Sequence, residues 1–120
     1  FGGAICMSPF WPLTIGDEFL EGSAWPDTLK PVYDKVLTKH LPLPGTCPLW
    51  IDRGNMTMDQ SLVPYDSMIE SALQARGLQA GQDYTFRIYP GAAHDEDAWS
   101  ARVTEALQFI LRPAKVFALM

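Results

Sequence analysis

Three short apolar runs, separated by segments of helical periodicity, restrict what this chain can fold into more than any other feature. Residues 4–10 (A-I-C-M-S-P-F), 47–52 (C-P-L-W-I-D) and 83–89 (D-Y-T-F-R-I-Y) are too short for buried helices. Pro9, Gly54 and the Pro90-Gly91 pair close them, so each reads as a strand. Between 31 and 41, Val32, Val36, Leu37 and Leu41 return at helical spacing, with Pro31 in the first turn, where its missing N–H costs nothing. Pro42, Pro44 and Gly45 stop that helix. Leu62, Tyr65, Met68, Ile69, Ala72 and Leu73 form a second stripe, with Asp59 or Ser61 as N-cap and Gly77 as C-cap. The third helix, over 95–112, sets Trp99, Val103, Ala106, Leu107, Ile110 and Leu111 on one face and stops at Pro113. Residues 11–26, rich in Gly, Pro and aromatics without a period, read as a loop. Regular strand–helix alternation predicts an α/β fold, a parallel sheet covered by helices.

Three strands make a thin sheet with exposed edges beneath many apolar helix positions. The 120 residues are therefore expected to form a single partial domain that lacks upstream strands. Its N-terminal half is the expected partner for the bare apolar surface, and self-association is the alternative. Hydrophobic residues are 48% and charged residues 19% of the chain, a composition that folds. The net charge of −5, with no basic run, excludes a nucleic-acid or anionic-membrane surface. No apolar stretch approaches a membrane span, and residues 1–10 have no basic lead-in of the kind that opens a secretory signal. A soluble chain follows, with the cytoplasm as the default compartment. Cys6 and Cys47 sit in strand-like runs and read as small buried hydrophobes rather than a disulfide or metal pair.

Ligands of an α/β sheet bind beyond the carboxyl ends of its strands. Two such ends carry ionisable groups here. Asp52 lies at the end of the second strand with Asp59 further along the loop, and His94 follows the third strand in P-G-A-A-H. One helix and one strand separate Asp59 from His94, which places them on neighbouring loops at one edge. That is the acid-then-histidine order of an α/β-hydrolase triad. A serine hydroxyl needs an imidazole to take its proton, and the imidazole needs a carboxylate to hold its tautomer. Blander roles remain open for each: Asp59 as an N-cap, Asp52 as a strand-end residue, His94 as a surface side chain. His40 suits the negative end of a helix dipole, and Asp95, Glu96 and Asp97 suit the positive end of another. Neither a second histidine nor a carbonyl-rich loop accompanies those acids, so neither metal nor cofactor is expected.

Several of these segments resemble the esterase D-like and enterochelin-esterase-like branch of the α/β-hydrolases. The similarity runs through Phe1-Gly2 and Met7-Ser8-Pro9-Phe10-Trp11, the latter with its tryptophan one residue early against the family's M-S-P-x-x-W. It continues through the strand ending Ile51-Asp52-Arg53-Gly54 and the acid at Asp59. Its longest stretch is Pro90-Gly91-Ala92-Ala93-His94-Asp95-Glu96-Asp97-Ala98-Trp99-Ser100-Ala101-Arg102, closed by Phe109-Ile110-Leu111. Nearly the whole chain is covered. The resemblance implies the C-terminal portion of an α/β-hydrolase, a serine carboxylesterase, with His94 as general base, Asp59 as its orienting acid and Trp11 as a wall of the substrate cleft. It implies carboxylic esters as substrates: carbohydrate acyl esters, small acyl thioesters or siderophore lactones. Asp52 is the runner-up acid.

The departure from that pattern is the absence of any G-x-S-x-G. Ser8 precedes Asp59 and His94 in the right order. A nucleophile elbow, however, needs a helix behind the serine and a backbone N–H on the next residue. Pro9 has none, so Ser8 is not expected to be the nucleophile, which is placed upstream of Phe1. The alternative function is a non-catalytic interaction module that keeps the hydrolase shape.

Overall fold

The computed structural model describes residues 2–9, 11 and 29–113. In chain order the elements are β1 (Ala4–Met7), α1 (Leu29–His40), β2 (Leu49–Gly54), a 3-10 segment (Thr57–Tyr65), α2 (Asp66–Ala75), β3 (Tyr84–Tyr89) and α3 (Glu96–Ile110). The loop expected over 11–26 lies outside the described residues except for Trp11, as do Phe1 and Phe10.

The strands form one parallel sheet in the order β1-β2-β3. The alternation of strands and helices is thus an α/β arrangement. β2, the central strand, is buried at all six positions, as expected for a strand with a neighbour on each side and helices on both faces. Its register aligns Cys6 with Ile51 and Phe86, and Met7 with Asp52 and Arg87. Alternate residues therefore supply two different surfaces. One carries Leu49, Ile51 and Tyr84 into an apolar core with Tyr65, Met68, Ile69, Leu73 and Leu78. The other meets α3, where Trp50 lies 6.0 Å from Phe109.

α1 covers the apolar core through Tyr33 and Leu37, with Leu41 just past its end, whereas Val32 and Val36, expected on that stripe, are exposed. α2 closes as its sequence requires. Gly77 takes φ +87°, its N–H bonds to Gln74 O, and Leu78 N–H bonds to Leu73 O. This double closure leaves Leu73 and Leu78 buried against each other's turn. The start of α2 differs from expectation. Neither Asp59 nor Ser61 caps it; both lie in the 3-10 segment, and α-helical pairing begins at Asp66. Pro64 bars a start at Asp59, since an α-helical ladder from there would need its missing N–H.

Two further boundaries shift for physical reasons. β1 ends at Met7 because Ser8 turns to φ +48°. β3 begins at Tyr84, one residue later than expected, because Asp83 is spent on turns: its carboxylate accepts from Gly45 N at 2.9 Å and Gln79 N at 2.8 Å. The face of α3 is also rotated from the expected stripe. Ala106 is buried as expected, but Leu107 and Leu111 are exposed, and Arg102 is buried against the sheet in their place. Asp52 on β2 faces that helix and takes the guanidinium of Arg102, which turns the helix away from a purely apolar seam.

Both cysteines are free and half-buried. Burial and then the nearby Asp52 charge push the Cys6 thiol up from its ordinary value, which suits an unreactive packing residue. No helix among the described residues is long and apolar enough to cross a membrane.

The two stripes make opposite predictions for one kind of truncation. Leu73→Ala removes a fully buried side chain and should cost about 3 kcal/mol in denaturant unfolding. Leu107→Ala should change stability by no more than about 0.5 kcal/mol. Equal losses would show that α3 packs on the expected face instead.

Candidate functional site

The carboxyl ends of the three strands converge on one buried carboxylate. Asp59 has no exposed side-chain surface. It sits in the 3-10 segment that follows β2, five residues beyond Gly54, the last residue of that strand. Its Oδ2 accepts from Gly54 N at 2.6 Å and from Ser8 Oγ at 2.7 Å. Its Oδ1 lies 2.7 Å from His94 Nδ1. One acid is thus held by the end of β1, the end of β2 and the loop after β3.

The backbone brings His94 there by stitching two loops together. Asn55 N and Met56 N both bond to Ala92 O, Gly91 N donates to the Asn55 side chain, and His94 N donates to Thr57 Oγ1 at 2.9 Å. Glycine is required at position 54, where a Cβ would stand 2.0 Å from Ala92 O. Thr57, at φ +54°, is held left-handed at the same junction. Such a conformation costs a threonine of the order of 1 kcal/mol and survives where surrounding bonds impose it. Behind the imidazole, Asp95 caps α3 by accepting from Ala98 N at 2.8 Å. The helix then begins directly after the histidine, and its Trp99 packs edge-on against the imidazole with ring centroids 5.1 Å apart.

Facing a carboxylate, Nδ1 of the neutral imidazole carries the proton, which leaves Nε2 as the unprotonated nitrogen. Nε2 makes no hydrogen bond among the described residues, and the His94 side chain keeps 21% of its surface accessible. The arrangement can therefore accept a proton from an incoming hydroxyl while a buried carboxylate stabilises the resulting imidazolium.

Asp52 does not contact this histidine. It is fully buried two residues before Gly54 on β2, where it accepts from Trp50 Nε1 at 2.8 Å and Arg102 Nη2 at 2.9 Å. Arg102 in turn donates to Ser8 Oγ at 2.9 Å, and Trp99 Nε1 donates to the same oxygen at 3.1 Å. The remaining Nε and Nη1 of Arg102 have no hydrogen-bond partner among the described residues, and its guanidinium carbon lies 5.1 Å from the Tyr89 ring centroid. A desolvated cation over an aromatic face gains on the order of 2 kcal/mol, which partly replaces the missing bonds.

Of the residues singled out from sequence, the structure unites Asp59 and His94. It sets Trp11 elsewhere: the described contacts of Trp11 are with Tyr33 of α1, by an edge-on ring contact and the Tyr33 hydroxyl on its carbonyl, and with the apolar core. His40 ends α1, and its side chain is exposed. Among the described residues, no group of His, Cys, Asp and Glu could hold a metal ion. Sequence reasoning missed Arg102, and missed Ser8 as a supporting group. A legible signal existed for Arg102, because it lies three residues after Trp99 and four before Ala106, on the face of α3 that packs inward.

No family model, curated protein or solved structure matches this chain. The site stands on its own geometry.

Gly54→Ala should break the junction between the two loops. Steric conflict with the Ala92 carbonyl should cost about 3 kcal/mol, and the His94 imidazole signals in NMR should move with it. A variant with unchanged melting and unchanged His94 resonances would show that the close approach is not needed.

Proposed function

We propose that this chain belongs to a serine carboxylesterase of α/β-hydrolase type, to which it contributes the base His94 and the acid Asp59. One observation carries the reading: a fully buried carboxylate on Nδ1 of a partly exposed histidine, with no hydrogen bond to Nε2 among the described residues, at the carboxyl edge of a parallel sheet. The nucleophilic hydroxyl comes from a segment outside these 120 residues, since the sequence holds no G-x-S-x-G and Ser8 Oγ is already committed to Asp59.

His94 Nε2 takes the proton as that hydroxyl attacks the ester carbonyl carbon. The imidazolium then gives the proton to the departing alcohol as the acyl C–O bond breaks. Water repeats the sequence to release the acid. Asp59 keeps its charge throughout and holds the ring by Nδ1–H. The substrate class is a carboxylic ester. Asp52 belongs to the supporting pair with Arg102.

The test uses the protein expressed from its complete reading frame. Asp59→Asn should lower kcat for p-nitrophenyl acetate by about four orders of magnitude, and it should lower the melting temperature as well, because it sets an amide NH2 among the donors around a buried acceptor. Asp52→Asn should lower the melting temperature while keeping most of the turnover, because it weakens the partner of a buried arginine and does not touch His94. Residues 1–120 alone should give no burst and no labelling by a fluorophosphonate. Near wild-type turnover in Asp59→Asn with none in Asp52→Asn, or stoichiometric labelling of Ser8, would overturn the assignment.

A further inference from the structure

We propose that Ser8 is a positioning residue whose hydroxyl proton is directed onto Asp59 by Arg102 and Trp99, and that this one-way chain of hydrogen bonds holds the carboxylate in the orientation that presents Oδ1 to His94. The proposal rests on reading His94 and Asp59 as base and acid.

The donors and acceptors around Ser8 Oγ fix the direction of each bond. A hydroxyl has one proton and two lone pairs. Three partners surround Ser8 Oγ: Arg102 Nη2 at 2.9 Å, Trp99 Nε1 at 3.1 Å and Asp59 Oδ2 at 2.7 Å. A guanidinium and an indole N–H can only donate, so they occupy both lone pairs. The single proton then has one destination, the Asp59 carboxylate. Oδ2 is thereby filled by Ser8 and Gly54 N, and Oδ1 is presented to His94 Nδ1. The polarity of the chain runs one way, from a cation through the hydroxyl to the acid.

Two features show that the position is built for this. Ser8 is 3% exposed, so no water competes for its oxygen. It also holds φ +48°, a left-handed conformation that a glycine would adopt without cost. The turn alone would be better served by glycine; the hydroxyl is what glycine lacks. The same count excludes Ser8 as a nucleophile, because neither lone pair is free to attack a carbonyl.

The discriminating variants are Ser8→Gly and Ser8→Ala, read by 15N NMR of the His94 imidazole at a pH where it is neutral. In the wild-type protein the Nδ1–H tautomer should dominate, and the Ser8 hydroxyl proton should exchange slowly with solvent. In Ser8→Gly, which suits the turn, Oδ2 keeps only Gly54 N, and the His94 Nδ1–H proton should exchange with solvent about tenfold faster, the effect of losing one charge-assisted hydrogen bond to the acid. Ser8→Ala should show the same acceleration together with a lower melting temperature than Ser8→Gly. A Ser8→Gly protein that keeps the wild-type Nδ1–H exchange rate overturns the role of Ser8 while leaving the His94–Asp59 pair intact. A wild-type hydroxyl proton that exchanges at the bulk rate also overturns it, without any variant. A wild-type His94 dominated by Nε2–H overturns both this proposal and the acid–base reading beneath it.

Discussion

A carboxylate with no exposed surface must be surrounded by donors, and Asp59 draws its donors from three different parts of the chain. Removing one partner from a buried charge costs about 3–5 kcal/mol, far more than any single surface contact contributes. Ser8, Gly54 and His94 are therefore not independent features. The bend that ends β1, the glycine that ends β2 and the loop that follows β3 are tied to one acceptor. The strand ends sit where they do partly because that charge has to be satisfied.

A second buried carboxylate, Asp52, does for the helix what Asp59 does for the loops. Its ion pair with Arg102 pulls a charged side chain into the seam between α3 and the sheet. Arg102 then reaches Ser8 as well, so the two acids share one support. The two left-handed non-glycine residues described, Ser8 and Thr57, both fall in this region. Strain of that kind persists only where neighbouring bonds over-determine it. Here each strained residue spends its hydroxyl on the site: Ser8 on Asp59, Thr57 on the His94 amide.

The sheet divides the labour between its faces. The α1 and α2 side is almost wholly apolar and supplies burial, at roughly 25 cal/mol for each Å² removed from water. Arg53 is the exception there, and it leaves the core at once to pair with Asp66 at the start of α2. The α3 side mixes Trp50 and Phe109 with the buried Asp52–Arg102 pair. Apolar packing accepts many arrangements of similar volume, whereas a buried hydrogen-bonded network accepts few. The precision of the site comes from the second face.

Periodicity and punctuation in the sequence were enough to determine that strands alternate with helices, and the parallel α/β sheet followed. The order of Asp59 and His94 after successive strands was enough to bring them to one edge. Gly77 ended α2 as its conformational freedom required. Tertiary structure decided what a linear pattern cannot carry. The inward stripe of α3 read as wholly apolar, yet the helix also buries Arg102, because Asp52 on a strand 50 residues away needed a cation. Asp59 read equally well as an N-cap, until Pro64 delayed the helix and left its carboxylate to the strand ends. Ser8 was set aside as a nucleophile because Pro9 follows it, and only the fold showed that its hydroxyl goes to Asp59. Local propensity acts over a few residues, but a buried charge is satisfied by whatever the fold brings beside it.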